Sequence, residues 1–473
     1  MLSWTGIRAG NVRMQFRGGL FVSRALRNPV VRGCPLCLRE DAAQHGSRGV
    51  GSMVMRGDWQ LRDTVVCLRH RHPLVPLWKS DTPRDRYDIL ARLREIEGDI
   101  LSGALDQPET SLTDYDLWLD GRLRDGWDDT WLKEHSLFAS TTFYRLFGEA
   151  LLQLAHADDK PSRGAALAFG FEVARKGEAA IRQALDQIAQ AATGHLDEPN
   201  KAFGNIYKAL NSKSAVDDGF GPFCQILREC ILDHWPIASG AILLGQVVEK
   251  RRLHSLSTAA KEIGVGVEVI EHFLLEVGAV PEEDARPWNR RVFDAQTHAA
   301  LLTEIPNLVG PKAMRQAMGA TVRELKALES EKVLIPRTRV AKVKSPWRLS
   351  DGTALVKELL TAVVCVPEAD GNWETLLNAR GRSGLGISNM IKAIKESRIV
   401  VGQWAGTAGF HGIVVNKRDV DDLSSTHKNS LDFAQVELPG EMSAAEFGRS
   451  VGLRDKGGFI ALVEEGQTPA FLW

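Results

Sequence analysis

Two short motifs constrain the fold of this chain more than anything else in it. Cys34 and Cys37 stand in C-P-L-C, and Cys67 and His70 stand in C-L-R-H, with 29 residues between the two knuckles. Zinc takes four soft or borderline ligands in a tetrahedron, and a two-residue spacing lets both members of a pair reach one ion. Pro35 stiffens the first turn. Closing the intervening loop costs chain entropy that grows only slowly with length. Metal binding offsets it, because the site forms only in the folded state. Three thiolates and one imidazole leave no position for water, so the expected ion is structural Zn2+ rather than catalytic. A redox C-x-x-C would leave Cys67 and His70 unexplained, and ordinary core cysteines would not need paired spacing. His72 is an alternative ligand to His70, at a less suitable spacing. The remaining cysteines, Cys224, Cys230 and Cys365, share no such pattern.

Reduced thiols fit the rest of the chain. No secretory-type apolar stretch opens it, and no run of about 18 apolar residues occurs. The expectation is a cytoplasmic protein with no membrane partner. At 473 residues, 44% hydrophobic and 25% charged, it has material for several globular domains. The net charge of −1 conceals an asymmetry. Residues 1–79 hold 13 Lys and Arg against 4 Asp and Glu, whereas residues 81–130 hold 6 against 14. A basic block beside an acidic one implies different partners, or docking of one on the other.

The knuckles also sit in a wider pattern. "RNPVVRGCPLCLRED", then Arg56, Trp59 and Leu61, then "CLRHRHPL" resemble the TniQ family of transposition proteins. The matching positions include Glu40, Asp41 and Leu74 beside the four ligands. "LFASTTFYRLFGEALL", "GFEVARKGEAAIRQAL" and "LHSLSTAAKEIGV" resemble the longer, proteobacterial-type members. Family members usually carry several dozen residues before the first knuckle. Here 33 precede Cys34, so the resemblance implies a module that is short at its N-terminus. It further implies a non-enzymatic accessory role in DNA transposition. The partners implied are target-site DNA or a targeting complex, an AAA+ ATPase regulator and, through it, a transposase.

Residues 80–245 read as a helical connector, with "YDILARLREIEGDILSGAL" placing Ile89, Leu93, Ile96 and Ile100 near one face. Trp118, Trp127 and Trp131 are expected in the core, with an exposed interaction surface as the alternative, Cys224 and Cys230 as apolar fillers on a helix, and His135 and His234 as structural. Beyond residue 245 a pattern recurs: a cap, small residues, a glycine, then a second helix. This is helix-turn-helix grammar. The first copy runs over 246–300, with Ser257 as the expected N-cap and Gly264 as the turn. The second runs over 301–350, with Gly319 as the turn and Thr321 capping the second helix. The third, over 351–425, ends in a glycine-turned hairpin resembling a wing, and the fourth covers 436–473. Phosphate contact needs positive charge and base reading needs Arg, Lys, Asn or Ser near a helix N-terminus. These criteria single out Ser388, Asn389, Lys392, Lys395 and Arg398 in the third copy, then Arg323 and Lys326 in the second. The first copy carries Glu268, Glu271 and Glu276 and suits a scaffold. Contacts to protein alone remain the alternative for each copy.

The expected fold is therefore mainly α: a zinc-knuckle TniQ module over 1–79, a helical connector, and an array of winged or plain helix-turn-helix units. No G-x-x-x-x-G-K-[ST] and no G-x-S-x-G occurs. The leading function is transposition accessory protein. The alternatives are a stand-alone DNA-binding transcriptional regulator and a nuclease or transposase subunit with dispersed carboxylates.

Overall fold

The computed structural model describes residues 4–434, apart from 45, 156–160, 213–214, 216–218, 362 and 369. The expected fourth helix-turn-helix copy, 436–473, lies outside the described residues. Between Pro306 and Asn307 the chain divides into two compact units. Helices dominate both. Among the described residues the sheets are small, and the largest has four strands.

The first unit opens with an antiparallel sheet of β1 (Ile7–Arg8), β2 (Arg13–Phe16) and β3 (Gly19–Val22). β4 (Val30–Gly33) then runs directly into α1 (Pro35–Gln44). Proline suits this first helical position because its missing N–H has no intrahelical partner there anyway. β5 (Val66–Cys67) and β6 (His72–Pro73) form a tight hairpin, and β7 (Val75–Lys79) follows. β7 pairs antiparallel with β4, with a bulge between Val31 and Arg32. That pairing brings the end of β4 and the β5–β6 hairpin, and so the two knuckles, together.

α2 (Ile89–Ser102) is capped by the Asp88 carboxylate on the Ala91 N–H and closes at Gly103 in the left-handed conformation. Its Leu93 and Ile100 are buried against Leu38, Trp59, Leu74 and Leu77. The acidic segment after the basic block thus completes the module's core. Further helices follow as α3 (Asp114–Arg124), α4 (Leu137–Ala155), α5 (Arg163–Ala174), α6 (Glu178–Ala191) and α7 (Gly221–His234). A Thr113/Asp116 capping box starts α3, and Ser162 caps α5. α4 and α5 approach with their backbones nearly touching. A Cβ on Gly148 would lie 1.9 Å from the Ala166 carbonyl oxygen, and one on Gly170 would lie 2.0 Å from that of Tyr144. The core around them is aromatic, with Phe143 stacked on Phe223 at 4.3 Å and Trp118 against Tyr144 and Phe171. Trp118 is buried and Trp131 half-buried, but Trp127 is 58% exposed, so the expectation of a core position fails there. Trp127 lies over Gly121, where the missing side chain leaves it a resting place on the surface of α3. Cys224 and Cys230 are buried on α7.

The three described copies of the recurring pattern share one local geometry. In the first unit, β8 (Leu253–Ser255) leads to α8 (Leu256–Ile263), Gly264 at φ 69°, and α9 (Val267–Glu276). β9 (Val292–Asp294) pairs antiparallel with β8. The N-cap is Ser255, not Ser257: Ser255 forms a capping box with Thr258. The physical reason is Leu256, fully buried, which anchors the first turn and places Ser257 inside the helix.

The second unit begins its copy with α10 (Pro311–Met318), Gly319 at φ 61°, and α11 (Val322–Ser330), which Thr321 caps in a box with Glu324. After α12 (Leu349–Leu359), a four-stranded sheet assembles from β10 (Val364–Val366), β11 (Trp373–Thr375), β12 (Val401–Trp404) and β13 (Ile413–Asn416). Its order is β10-β12-β13-β11, with β10 parallel to β12. Between β11 and β12 lie α13 (Leu376–Ser383), Gly384 at φ 76°, and α14 (Ile387–Lys395). The hairpin β12–β13 occupies the place of the expected wing. α15 (Lys417–Ala434) follows. Met314, Met318, Leu328, Ile387, Met390 and Ile413 are fully buried in this unit's core. Among the described residues, no helix is long and apolar enough to cross a membrane.

Candidate metal centre and nucleic-acid interface

Cys34 and Cys37 flank the start of α1, Cys67 ends β5, and His70 lies in the β5–β6 turn. The three cysteines are buried, and the His70 side chain is 14% exposed. The four ligand atoms lie within 4.8 Å of one another. Cys37 Sγ is 3.6 Å from Cys67 Sγ and 3.2 Å from His70 Nδ1. His70 Nδ1 is 3.6 Å from Cys34 Sγ and 3.8 Å from Cys67 Sγ. Bonds of about 2.3 Å to sulfur and about 2.0 Å to nitrogen, at a tetrahedral angle, place ligand atoms roughly 3.5–3.8 Å apart. The cluster already has close to that spacing and can hold a metal ion.

Three sulfurs this close cannot all ionise unaided. The Cys37 thiol is pushed up, first by hydrogen bonding to Cys34 and Cys67 and then by burial. Cys37 lowers the Cys34 thiol, but Cys67 and burial outweigh it and leave Cys34 raised. Hydrogen bonds from Cys34 and Cys37 hold Cys67 low. A divalent cation at the centre replaces that repulsion with attraction.

The residues around the ligands explain the rest of the motif. Glu40 Oε1 lies 2.9 Å from His70 Nε2. A carboxylate on that nitrogen fixes the tautomer that leaves Nδ1 free to ligate. Arg69 reaches the same carboxylate at 2.9 Å. Asp41 accepts from both Arg56 Nη atoms, at 2.7 and 2.9 Å, and from the Val54 N–H at 2.9 Å. Burial alone would raise the Asp41 carboxyl, but Arg56 and the Val54 N–H outweigh it and hold it below its ordinary value. The Arg56 guanidinium also lies 5.8 Å from the Trp59 ring centroid, tying the R-x-x-W segment to the α1 motif. His72 is buried outside the ligand set: its Nδ1 is 2.6 Å from the Pro73 carbonyl and its Nε2 accepts from the Gln107 N–H at 2.7 Å.

A second group, Asp186, Cys230 and His234, also converges between α6 and α7. There His234 Nδ1 lies 3.0 Å from the Cys230 carbonyl oxygen and 3.7 Å from Asp186. Cys230 stands one turn before His234 on α7, and the helix pairing adds Asp186 from α6, which no sequence spacing revealed.

The nucleic-acid candidates fall on two helices of the second unit. Arg323 and Lys326 are exposed on α11. Ser388, Asn389, Lys392 and Lys395 lie on α14, and Arg398 follows it. Asn389 and Lys392 face solvent. Lys395 pairs with Glu358 at 2.8 Å, and Arg398 pairs with Glu396. The Ser388 N–H donates to Glu331 at 2.9 Å, and Arg380 pairs with the same carboxylate at 2.8 Å. Intramolecular acids therefore occupy part of the charge and the N-terminal N–H groups that sequence alone offered to DNA.

The fold and residue set define a Cys3His cluster able to hold a metal ion, built into a helical unit. Residues 2–74 match the model of the TniQ family, so the knuckles and the carboxylates that orient them lie in a TniQ domain, a domain of transposition-associated proteins. No curated protein matches the chain.

Proposed function

We propose that this chain is a non-catalytic accessory protein of DNA transposition. It holds target-site DNA, or a targeting complex, and recruits an AAA+ ATPase regulator that in turn engages the transposase. The observation that carries this reading is the TniQ match over residues 2–74, backed by a Cys3His cluster whose supporting Glu40, Asp41, Arg56 and Trp59 are the motif residues themselves. The ion is Zn2+, held by Cys34, Cys37, Cys67 and His70, and its role is structural because four protein ligands leave no open position. The three helix pairs act as helix-turn-helix units. Arg323 and Lys326 on α11, and Ser388, Asn389, Lys392, Lys395 and Arg398 on or after α14, supply contacts to DNA, with Asn389 and Lys392 the most available. The protein works in the cytoplasm. The test is recruitment: full-length protein with DNA should retain the ATPase regulator encoded by the same mobile element, and protein with Cys67→Ser should not. Retention that is indifferent to this chain would overturn the reading.

A further inference from the structure

A dense concentration of positive charge lies in the first unit, where the TniQ domain meets the helical connector. The Arg62 N–H donates to the Ala25 carbonyl at 3.1 Å, which sets Arg62 beside Arg24. Arg32 Nη2 donates to the carbonyls of Leu61 and Arg62 at 3.0 and 3.1 Å. The next residue, Asp63, is buried. It accepts from Arg163 at 2.5 Å and from the Thr141 hydroxyl at 3.0 Å. Arg145 stands one helical turn beyond Thr141 and pairs with Glu149 at 2.8 Å.

Arg24, Arg32, Arg145 and Arg163 thus lie near Arg62, with Asp63 paired to Arg163 and Glu149 to Arg145. Arg163 is also the first residue of α5, so the positive end of that helix adds to the field. Burial and then Arg163 lower the proton affinity of Arg32 and of Arg62, as expected where cations crowd. A second observation is independent of charge. The Nε atoms of Arg62, Arg145 and Arg163 are buried with no hydrogen-bond partner among the described residues. An unmade buried hydrogen bond costs on the order of 1–3 kcal/mol. Arg163 and Arg145 keep their carboxylate partners, whereas Arg62, which holds the Asn28 side chain rather than a carboxylate, gains by turning toward an external anion. Arginine's planar fork suits a phosphate, which accepts two of its N–H groups at once.

We infer that Arg24, Arg32, Arg62, Arg145 and Arg163 form a binding surface for the sugar-phosphate backbone of DNA. It is a sequence-independent contact made by the TniQ domain and its connector together. Such contacts set position and register on the duplex and leave base reading to other elements. The inference rests on the proposed DNA-holding role and assigns that role a surface in the first unit.

Fluorescence anisotropy of a labelled duplex with the full-length protein, over a series of salt concentrations, tests it. Arg24→Ala combined with Arg62→Ala is the informative variant, since Arg24 is exposed and the Arg62 guanidinium holds the Asn28 side chain rather than a carboxylate. Affinity is expected to fall about tenfold, and the slope of log K against log salt to shrink by roughly one to two. Lysine at both positions should restore most of the slope, while alanine variants that keep the wild-type melting temperature exclude misfolding. Unchanged affinity and slope in the alanine variant, with wild-type protein still binding DNA, would overturn the inference and leave the proposed function standing. Failure of the wild-type protein to bind any DNA would overturn both. Normal DNA binding with loss of ATPase recruitment would reassign the surface to an acidic protein partner. Competition by micromolar pyrophosphate at constant ionic strength would reassign it to a small anion.

Discussion

Glu40 orients the His70 imidazole of the Cys3His cluster in a way that its spacing alone does not announce. It belongs to the motif after Cys37, yet its partner, the Nε2 of His70, lies across the hairpin. Glu40→Gln should weaken metal affinity about tenfold or more, because a neutral amide orients the imidazole less firmly and no longer supports its charge. Chelator competition measures this, and unchanged affinity would contradict it. Asp58 gives a pH signature. Burial pushes its carboxyl from the ordinary 3.8 up to about 6. A raised acid binds its proton more tightly when folded, so the fold loses stability as pH rises from about 4 to about 6 and stays lower above that. Asp58→Asn removes the ionisation. It should stabilise the protein by about 1–2 kcal/mol at pH 7.5 and by nearly nothing at pH 4. Paired thermal melts at the two pH values check the sign. The clustering of Cys34, Cys37, Cys67 and His70 was legible because knuckle spacing is a local property. The exclusion of His72 was not, because its partner is the distant Gln107 N–H. The partners of the basic residues were equally hidden. Arg39, Arg56 and Arg69 look free in sequence but pair with Asp106, Asp41 and Glu40.

At the scale of elements, punctuation was legible and long-range packing was not. Gly264, Gly319 and Gly384 each take a positive φ between two short helices, as the recurring cap–glycine–helix pattern implied. Ser255 displaced Ser257 because burial of Leu256, not cap propensity alone, sets where α8 begins. The close contact of α4 with α5 carried no readable signal beyond two glycines. Gly148 and Gly170 let these helices meet at distances a methyl group cannot share. Gly170→Ala should therefore cost about 3 kcal/mol through forced separation of the helices. Gly98 supplies the control, because it lies on α2 with open space where a Cβ would go. Gly98→Ala should be neutral or slightly stabilising, since alanine is the better helix former. Equal melting temperatures for the two variants would contradict the packing argument.

At the scale of the molecule, Asp63 shows how the TniQ domain and connector become one unit. Its carbonyl accepts from the Tyr115 hydroxyl, and its carboxylate from Thr141 and Arg163. These partners come from α3, α4 and α5, so the domain's edge is pinned to three connector helices. The proposed accessory role, passing a target signal onward, would use that continuity. The claim is best tested by mapping insertions of the mobile element in cells with the chain intact, absent, or carrying Cys67→Ser. If the chain selects or licenses the target, its absence and Cys67→Ser should both abolish insertion or scatter it away from the usual sites, while the transposase still cleaves its own element ends. Insertions of unchanged number and position without the chain would contradict the account.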